Sequence, residues 1–303
     1  MRCLRQARRG VLAIVVLMVF LPVAGAAEPV KVGVYARALG GQATFKALAK
    51  EKEVKAASFK DMKTDALLAY DAVIICACTL DQPEQLKALR VFLACGGGLV
   101  LNHSSCGRGR PETFFPAVVK KVVDRRVDSI LVVKDGKHPI AAGLPEQFEH
   151  SYNDHLFLEP GPDGTVVVVD REGAPVVVAG AVGEGRVVFN GSLPGYWYDL
   201  ATFWQGEREP VGGELQLVLN AAKWAGAGRV TALPADELAK RRKKAEADLK
   251  MEDLAKLLPT SDWFGLEMLR GSYLPLPPVT ELGGRFFITY DSMTWRGYKM
   301  KKV

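Results

Sequence analysis

Between residues 30 and 102, short apolar runs rich in β-branched residues alternate with segments of helical periodicity, an order that few architectures accept. VKVGVYA (30–36) reads as a first strand, residues 44–51 as a helix, and VKAASF (54–59) as a second strand. Residues 64–70 read as a short helix, followed by DAVIICACT (71–79), a continuous apolar run typical of a strand buried on both faces. Pro83 suits the first turn of the next helix, QLKALRVFLA, which Gly96, Gly97 and Gly98 end before a strand restarts at Leu99. The alternation predicts an α/β fold, a doubly wound, mostly parallel sheet with helices on both faces.

The second half is richer in strands. Residues 128–133, 164–170, 175–181 and 185–190 all read as extended, the last two forming a hairpin around Gly183, Glu184 and Gly185. ELQLVLNAAKWA (214–225) reads as an amphipathic helix stopped by Gly226. The expected organisation is a segment over 1–27, a domain over 28–228 and a helical, irregular extension over 229–303. In that extension, KRRKK (240–244) reads as a solvated helix face, and RFFITY (285–290) as one strand-like piece.

The first segment has the marks of a secretory signal peptide. Four arginines precede an apolar run from Val11 to Val23, and Ala24, Gly25, Ala26 and Ala27 offer small residues for cleavage. Export to the periplasm or the exterior is the expectation, with membrane contact only through this segment if uncleaved. Removing its arginines lowers the formal net charge from +6 to +2, which argues against nucleic acid as a partner. Four cysteines then remain, Cys76, Cys78, Cys95 and Cys106, in a compartment that permits disulfides.

LVLNHSSCGRGR (99–110) ends a strand and turns through a histidine, two serines, a cysteine and two arginines. Open α/β sheets bind ligands at the carboxyl ends of their strands. All four histidines of the chain lie between 103 and 155: His103 at the strand end, His138 opening an HPI turn, and His150 and His155 flanking Ser151 to Asp154. Loops folding over one edge would gather His103, His138, Asp154 and His155, with His103 or His155 as acid/base and Asp154 orienting an imidazole. GYWYDLATFWQGE adds Tyr196, Trp197, Tyr198, Phe203 and Trp204 in one loop, and aromatic faces stack on the apolar faces of sugars. Arg108 and Arg110 are placed to grip an anion there. Cys106 has two readings, a nucleophile activated by nearby positive charge or a structural thiol bridged to Cys78. No cofactor and no metal is implied.

GGGLVLNHSS, KHPIAAGLPEQF, SYNDHLFL, GEGRVVFNGSLPG and LVLNAAKWAG follow one another in an order that resembles the ThuA-like family, named for trehalose utilisation, within the class I glutamine-amidotransferase-like superfamily. The resemblance covers roughly residues 30–228 and implies a flavodoxin-like fold. It places the elbow position, a nucleophilic cysteine in amidotransferases, on His103, so glutamine-amide hydrolysis is not implied. The chain has Asp154-His155-Leu156-Phe157 where the family tends to have Asp-Glu-x-Tyr, and Leu193-Pro194-Gly195 where it tends to have Leu-Gly-His. The reading is an exported protein acting on or binding a sugar-like ligand. The alternative is a non-catalytic binding or scaffold domain of the cell envelope, holding a protein partner through its C-terminal tail.

Overall fold

The computed structural model describes residues 28–250 except 79, 81, 109 and 199–204, and beyond them the backbone of three short strands. The 1–27 segment, Phe203 and Trp204 lie outside the described residues.

Strands β1 (Val30–Tyr35), β2 (Val54–Phe59), β3 (Ala72–Ile75) and β4 (Gly98–Asn102) alternate with helices α1 (Gly41–Leu48), α2 (Thr64–Leu67) and α3 (Pro83–Ala94). The fold class is the expected one, α/β and flavodoxin-like. One sheet of nine strands runs through the domain in the order β2-β1-β3-β4-β11-β10-β9-β6-β7. Its added members are β6 (Ile130–Val133), β7 (Gln147–Glu149), β9 (Thr165–Asp170), β10 (Pro175–Val182) and β11 (Gly185–Asn190). From β2 to β11 every pairing is parallel; from β11 outward to β7 every pairing is antiparallel. Val32, Val34, Ile74, Val100 and Val188 lie on one face of the sheet under α4 (Gly212–Ala225), and Val73, Ile75, Leu99, Leu101 and Phe189 lie on the other with α3. Central strands covered on both sides show why these runs read as continuous rather than alternating.

A two-stranded ribbon lies beside this sheet. Strand β5 (Val119–Arg126) pairs antiparallel with β8 (His155–Pro160), and Gly191 brings β8 against the end of β11. A Cβ at Gly191 would stand 1.9 Å from the Leu156 carbonyl oxygen, whose residue donates its N–H to Gly191 O at 3.0 Å. Only glycine allows that approach. The residues of β5, VKKVVDRR, set charges and valines in adjacent pairs with the pairing interrupted by two register shifts, a pattern that does not announce a strand in the sequence.

Asp71, at the foot of β3, is fully buried. It accepts from Lys31 N (3.0 Å), Thr231 N (3.1 Å) and Thr231 Oγ1 (2.7 Å), and pairs with Arg229 at 3.4 Å. One carboxylate thus ties the first strand to the segment leaving α4. Helix α5 (Ala235–Asp248) continues beyond it. Lys240, Lys243 and Lys244 are solvated as predicted, yet Ala245 is buried, Arg241 donates to Cys95 O, and Arg242 pairs with Asp65. The packed unit therefore runs past residue 228 and takes in this helix. The RFFITY stretch is a strand of a hairpin, β14 (Val279–Leu282) with β15 (Arg285–Tyr290), extended by β16 (Met293–Thr294). The intervening β12 (Tyr196–Tyr198) and β13 (Gln205–Glu207) form a separate small ribbon.

Candidate active site at the carboxyl edge of the sheet

Strand β4 ends at Asn102, and the chain turns at once through a 3-10 segment, His103–Cys106. His103 has φ 49°, in the left-handed region that non-glycine residues rarely occupy. Such strain costs about 1–3 kcal/mol and persists only where the surroundings enforce it. Here the enforcing contacts are polar. Its ring Nε2 lies 3.0 Å from Asp154 Oδ1, and its Nδ1 lies 3.0 Å from Ser104 Oγ. Arg125 donates to the other oxygen of Asp154 at 2.9 Å.

An ionised carboxylate only accepts hydrogen bonds, so in the neutral ring Nε2 carries the proton and Nδ1 is left to accept from the Ser104 hydroxyl. Burial opposes ionisation of Asp154, but the bond from His103 and the charges of His103, Arg125 and Arg108 outweigh it and hold the carboxyl below its ordinary range. The imidazole and carboxylate are buried, at 6% and 2% exposure, while Ser104 is half-buried. Ser105 is engaged differently. It is buried, and its hydroxyl accepts from Cys78 N at 2.9 Å.

Over the histidine stands an aromatic cluster. Tyr152 meets the His103 ring edge-on at 5.6 Å, and Tyr196 and Tyr198 approach Tyr152 at 5.9 and 6.3 Å. All three tyrosines are half-buried, as is Trp197, which stacks under Arg208. The 103, 150–154 and 196–198 segments thus meet at one rim.

Three sequence expectations fall elsewhere. His138 caps a 3-10 turn, its Nδ1 accepting from Ile140 N at 3.2 Å, and its ring packs on Trp224. It follows β6, which runs against the parallel strands, so its turn lies at their amino ends, opposite His103. His155 follows Asp154 on an extended chain and so points the other way. It is fully buried between His150 (3.3 Å), Asp128 O (2.9 Å) and Asp170 (3.5 Å), out of reach of any substrate. Burial, then the neighbouring His155, pushes His150 down to about 3, so it is neutral at physiological pH. Arg110 is buried over Phe114 and donates to Leu80 O, whereas Arg108 lies half-buried beside the site.

The cysteine readings are resolved by burial. Cys106 is wholly buried and its thiol donates to Leu101 O and Asn190 O; burial pushes its pKa well up. All four described cysteines are free thiols, so there is no bridge to Cys78 and no thiolate nucleophile at Cys106. Cys76, also buried, is pushed up to about 12.

Position 195, where the resemblance leads one to expect a histidine, is sterically closed. Gly195 (φ 80°) packs on the loop after β1: a Cβ there would lie 2.3 Å from Gly40 O and 2.5 Å from Thr44 Oγ1. No side chain fits at 195.

Sequence reading missed four contributors: Ser104, Tyr152, Arg125 and Glu214. Glu214, in the first turn of α4, accepts from Ser151 N (3.0 Å) and Ser151 Oγ (2.6 Å), anchoring the loop that carries Tyr152 and Asp154. Burial raises its pKa to about 7 against the lowering by Ser151. An acid with a raised native pKa stabilises below its unfolded value and loses that contribution as pH rises through the native one. The expected result is that Glu214→Gln, which keeps the shape, gains on the wild type by about 3 kcal/mol between pH 4 and pH 8, read by urea unfolding at both pH values.

A nine-stranded α/β sheet with a tight turn after its fourth strand has the flavodoxin-like arrangement in which ligands meet the carboxyl ends of the strands. Residues 19–195 match the ThuA family, described as trehalose utilisation. The chain belongs to that family, which points to a carbohydrate-related role. No curated protein matches it. Among solved structures it is similar to a ThuA-like protein from Bacteroides uniformis, at 16% identity and TM-score 0.49, covering 68% of this chain and 95% of that one. A ThuA-like protein from Parabacteroides merdae matches at 17% identity and TM-score 0.44, over 69% and 94% of the two chains. A cytoplasmic protein from Salmonella typhimurium matches at 15% identity and TM-score 0.48, over 65% and 98%.

Proposed function

We propose that this protein is exported and binds a carbohydrate or sugar derivative at the carboxyl edge of the sheet, where His103 acts as the acid/base and Asp154 orients it. The reading rests on one observation above all: the ring of His103 is fixed by Asp154 on one side and faces the Tyr152, Tyr196 and Tyr198 cluster on another. Tyrosine rings offer flat apolar faces to a pyranose and lose little entropy on binding. Export is supported by the arginine-led apolar segment at the N-terminus.

The test is a thermal-shift screen of neutral, oxidised and acylated sugars against the mature protein. A ligand at a hundred times its Kd adds about 2.7 kcal/mol to stability. Tyr152→Ala is expected to weaken the best ligand roughly tenfold, about 1.4 kcal/mol. No stabilisation by any sugar removes the proposal.

A second reading is favoured by the two family positions that this chain has changed: His155 is buried away from the site, and Gly195 admits no side chain. In a non-catalytic envelope domain the same edge binds without turnover. A ligand that stabilises the protein yet is recovered chemically unchanged supports that reading.

A further inference from the structure

We propose that Ser104 is a nucleophile and that the site transfers acyl groups, with an O-acylated carbohydrate as substrate. The proposal rests on the carbohydrate reading for the alcohol part of the substrate and goes beyond it in the chemistry.

Ser104, His103 and Asp154 form a continuous chain, Oγ to Nδ1 at 3.0 Å and Nε2 to Oδ1 at 3.0 Å. A hydroxyl is a weak nucleophile until an adjacent base takes its proton, and that base needs a third group to hold its tautomer. Every part of that requirement is present. Asp154, pinned by Arg125, fixes the Nε2–H tautomer and leaves Nδ1 open to the hydroxyl proton. The arrangement mirrors the familiar hydrolase triad with the two ring nitrogens exchanged, and such triads are recognised by geometry and role rather than by sequence position. Burial follows the same order: Asp154 and His103 are buried, and Ser104 is half-buried in the turn after β4. The neighbouring Ser105 cannot substitute, because it is buried and holds Cys78 N. His103 has a left-handed φ of 49° at this turn, where its ring meets the hydroxyl of the next residue.

In the reaction, Ser104 Oγ attacks the ester carbonyl carbon while its proton passes to His103 Nδ1. The tetrahedral adduct collapses, the bond from carbonyl carbon to sugar oxygen breaks, and Nδ1–H protonates the departing sugar oxygen. Water then attacks the acyl-serine and gives its proton to Nδ1. Collapse releases the carboxylic acid and restores the Ser104 hydroxyl. Ester and water give alcohol and acid, with no oxidant or reductant.

The test treats the full mature protein with a fluorophosphonate probe and maps the adduct by mass spectrometry. A single adduct on Ser104 is expected, absent from Ser104→Ala. Labelling should be at least 100-fold slower in His103→Asn, where asparagine tolerates the left-handed backbone. Acetate release from peracetylated sugars should follow the same order. Natively folded wild-type protein with no Ser104 adduct overturns the inference, as does labelling unchanged in His103→Asn. Sugar-dependent stabilisation surviving either result leaves the carbohydrate reading intact. A Ser104 adduct without any sugar binding supports the nucleophile and removes that reading instead.

Discussion

On the proposed reading of His103 as a base, Asp154→Asn is expected to cut turnover about 10⁴-fold, with KM little changed. The amide oxygen takes the bond from Arg125, and the amide NH₂ is then turned toward His103. A donor facing Nε2 forces that nitrogen to accept, so the ring proton moves to Nδ1. His103 then donates toward Ser104 instead of accepting from it, and its function as a base at that atom is gone. Steady-state kinetics separate this from general damage: kcat falls while KM and the unfolding midpoint hold. Asp154→Ala is a different experiment. It takes the carboxylate away from Arg125 and His103 together and is expected to cost about 3–5 kcal/mol of stability as well.

Asp71→Ala is expected to be the most destabilising single substitution away from the site, at about 3–5 kcal/mol. Three donors lose their acceptor together, Lys31 N, Thr231 N and Thr231 Oγ1, and Arg229 loses its ion pair while keeping the carbonyls of Glu28 and Pro29. Buried donors left without a partner carry the full desolvation penalty. The carboxylate also holds β1 to the chain leaving α4, so its loss loosens the sheet where the first strand enters. Urea unfolding should show a lower midpoint at unchanged slope. Asp71→Asn, which keeps one acceptor, should lose less.

The strands and helices of residues 30–102 are legible in the sequence because the central strands β3 and β4 declare themselves by apolar runs and α3 by its opening proline and closing glycines. Strand β5 is not. Its two lysines, two of its valines and its two arginines each stand side by side, register shifts break the two-residue period, and that pattern does not distinguish a strand from a charged loop. Arg125 is hidden with it, since pairing to Asp154 is a long-range fact with no local signature. His103 is legible because it stands at the end of an apolar run, and Asp154 because it lies in a motif with the histidines. His155 departs from its expected place. It begins β8, and its side chain turns into the layer beneath, against Asp128 and Asp170, while Asp154 just before the strand meets His103. Glu214 resembles an ordinary acid in a first helical turn, and only tertiary packing buries it against Ser151. His138 would share the rim only if its loop followed a parallel strand, whereas β6 runs the other way.

The β5–β8 ribbon carries a consequence for how this centre tolerates change. Arg125 and Arg126 are consecutive, yet one serves Asp154 and the other Asp170, because they lean to opposite sides of one strand. Their division of labour is thus encoded in phase rather than in residue type. Exchanging one arginine for lysine only weakens a contact, but inserting a single residue between Asp124 and Arg125, where the pairing with β8 is unbroken, would hand each carboxylate the wrong neighbour. Length drift, usually the cheapest form of variation, is here the kind least compatible with keeping the histidine aligned.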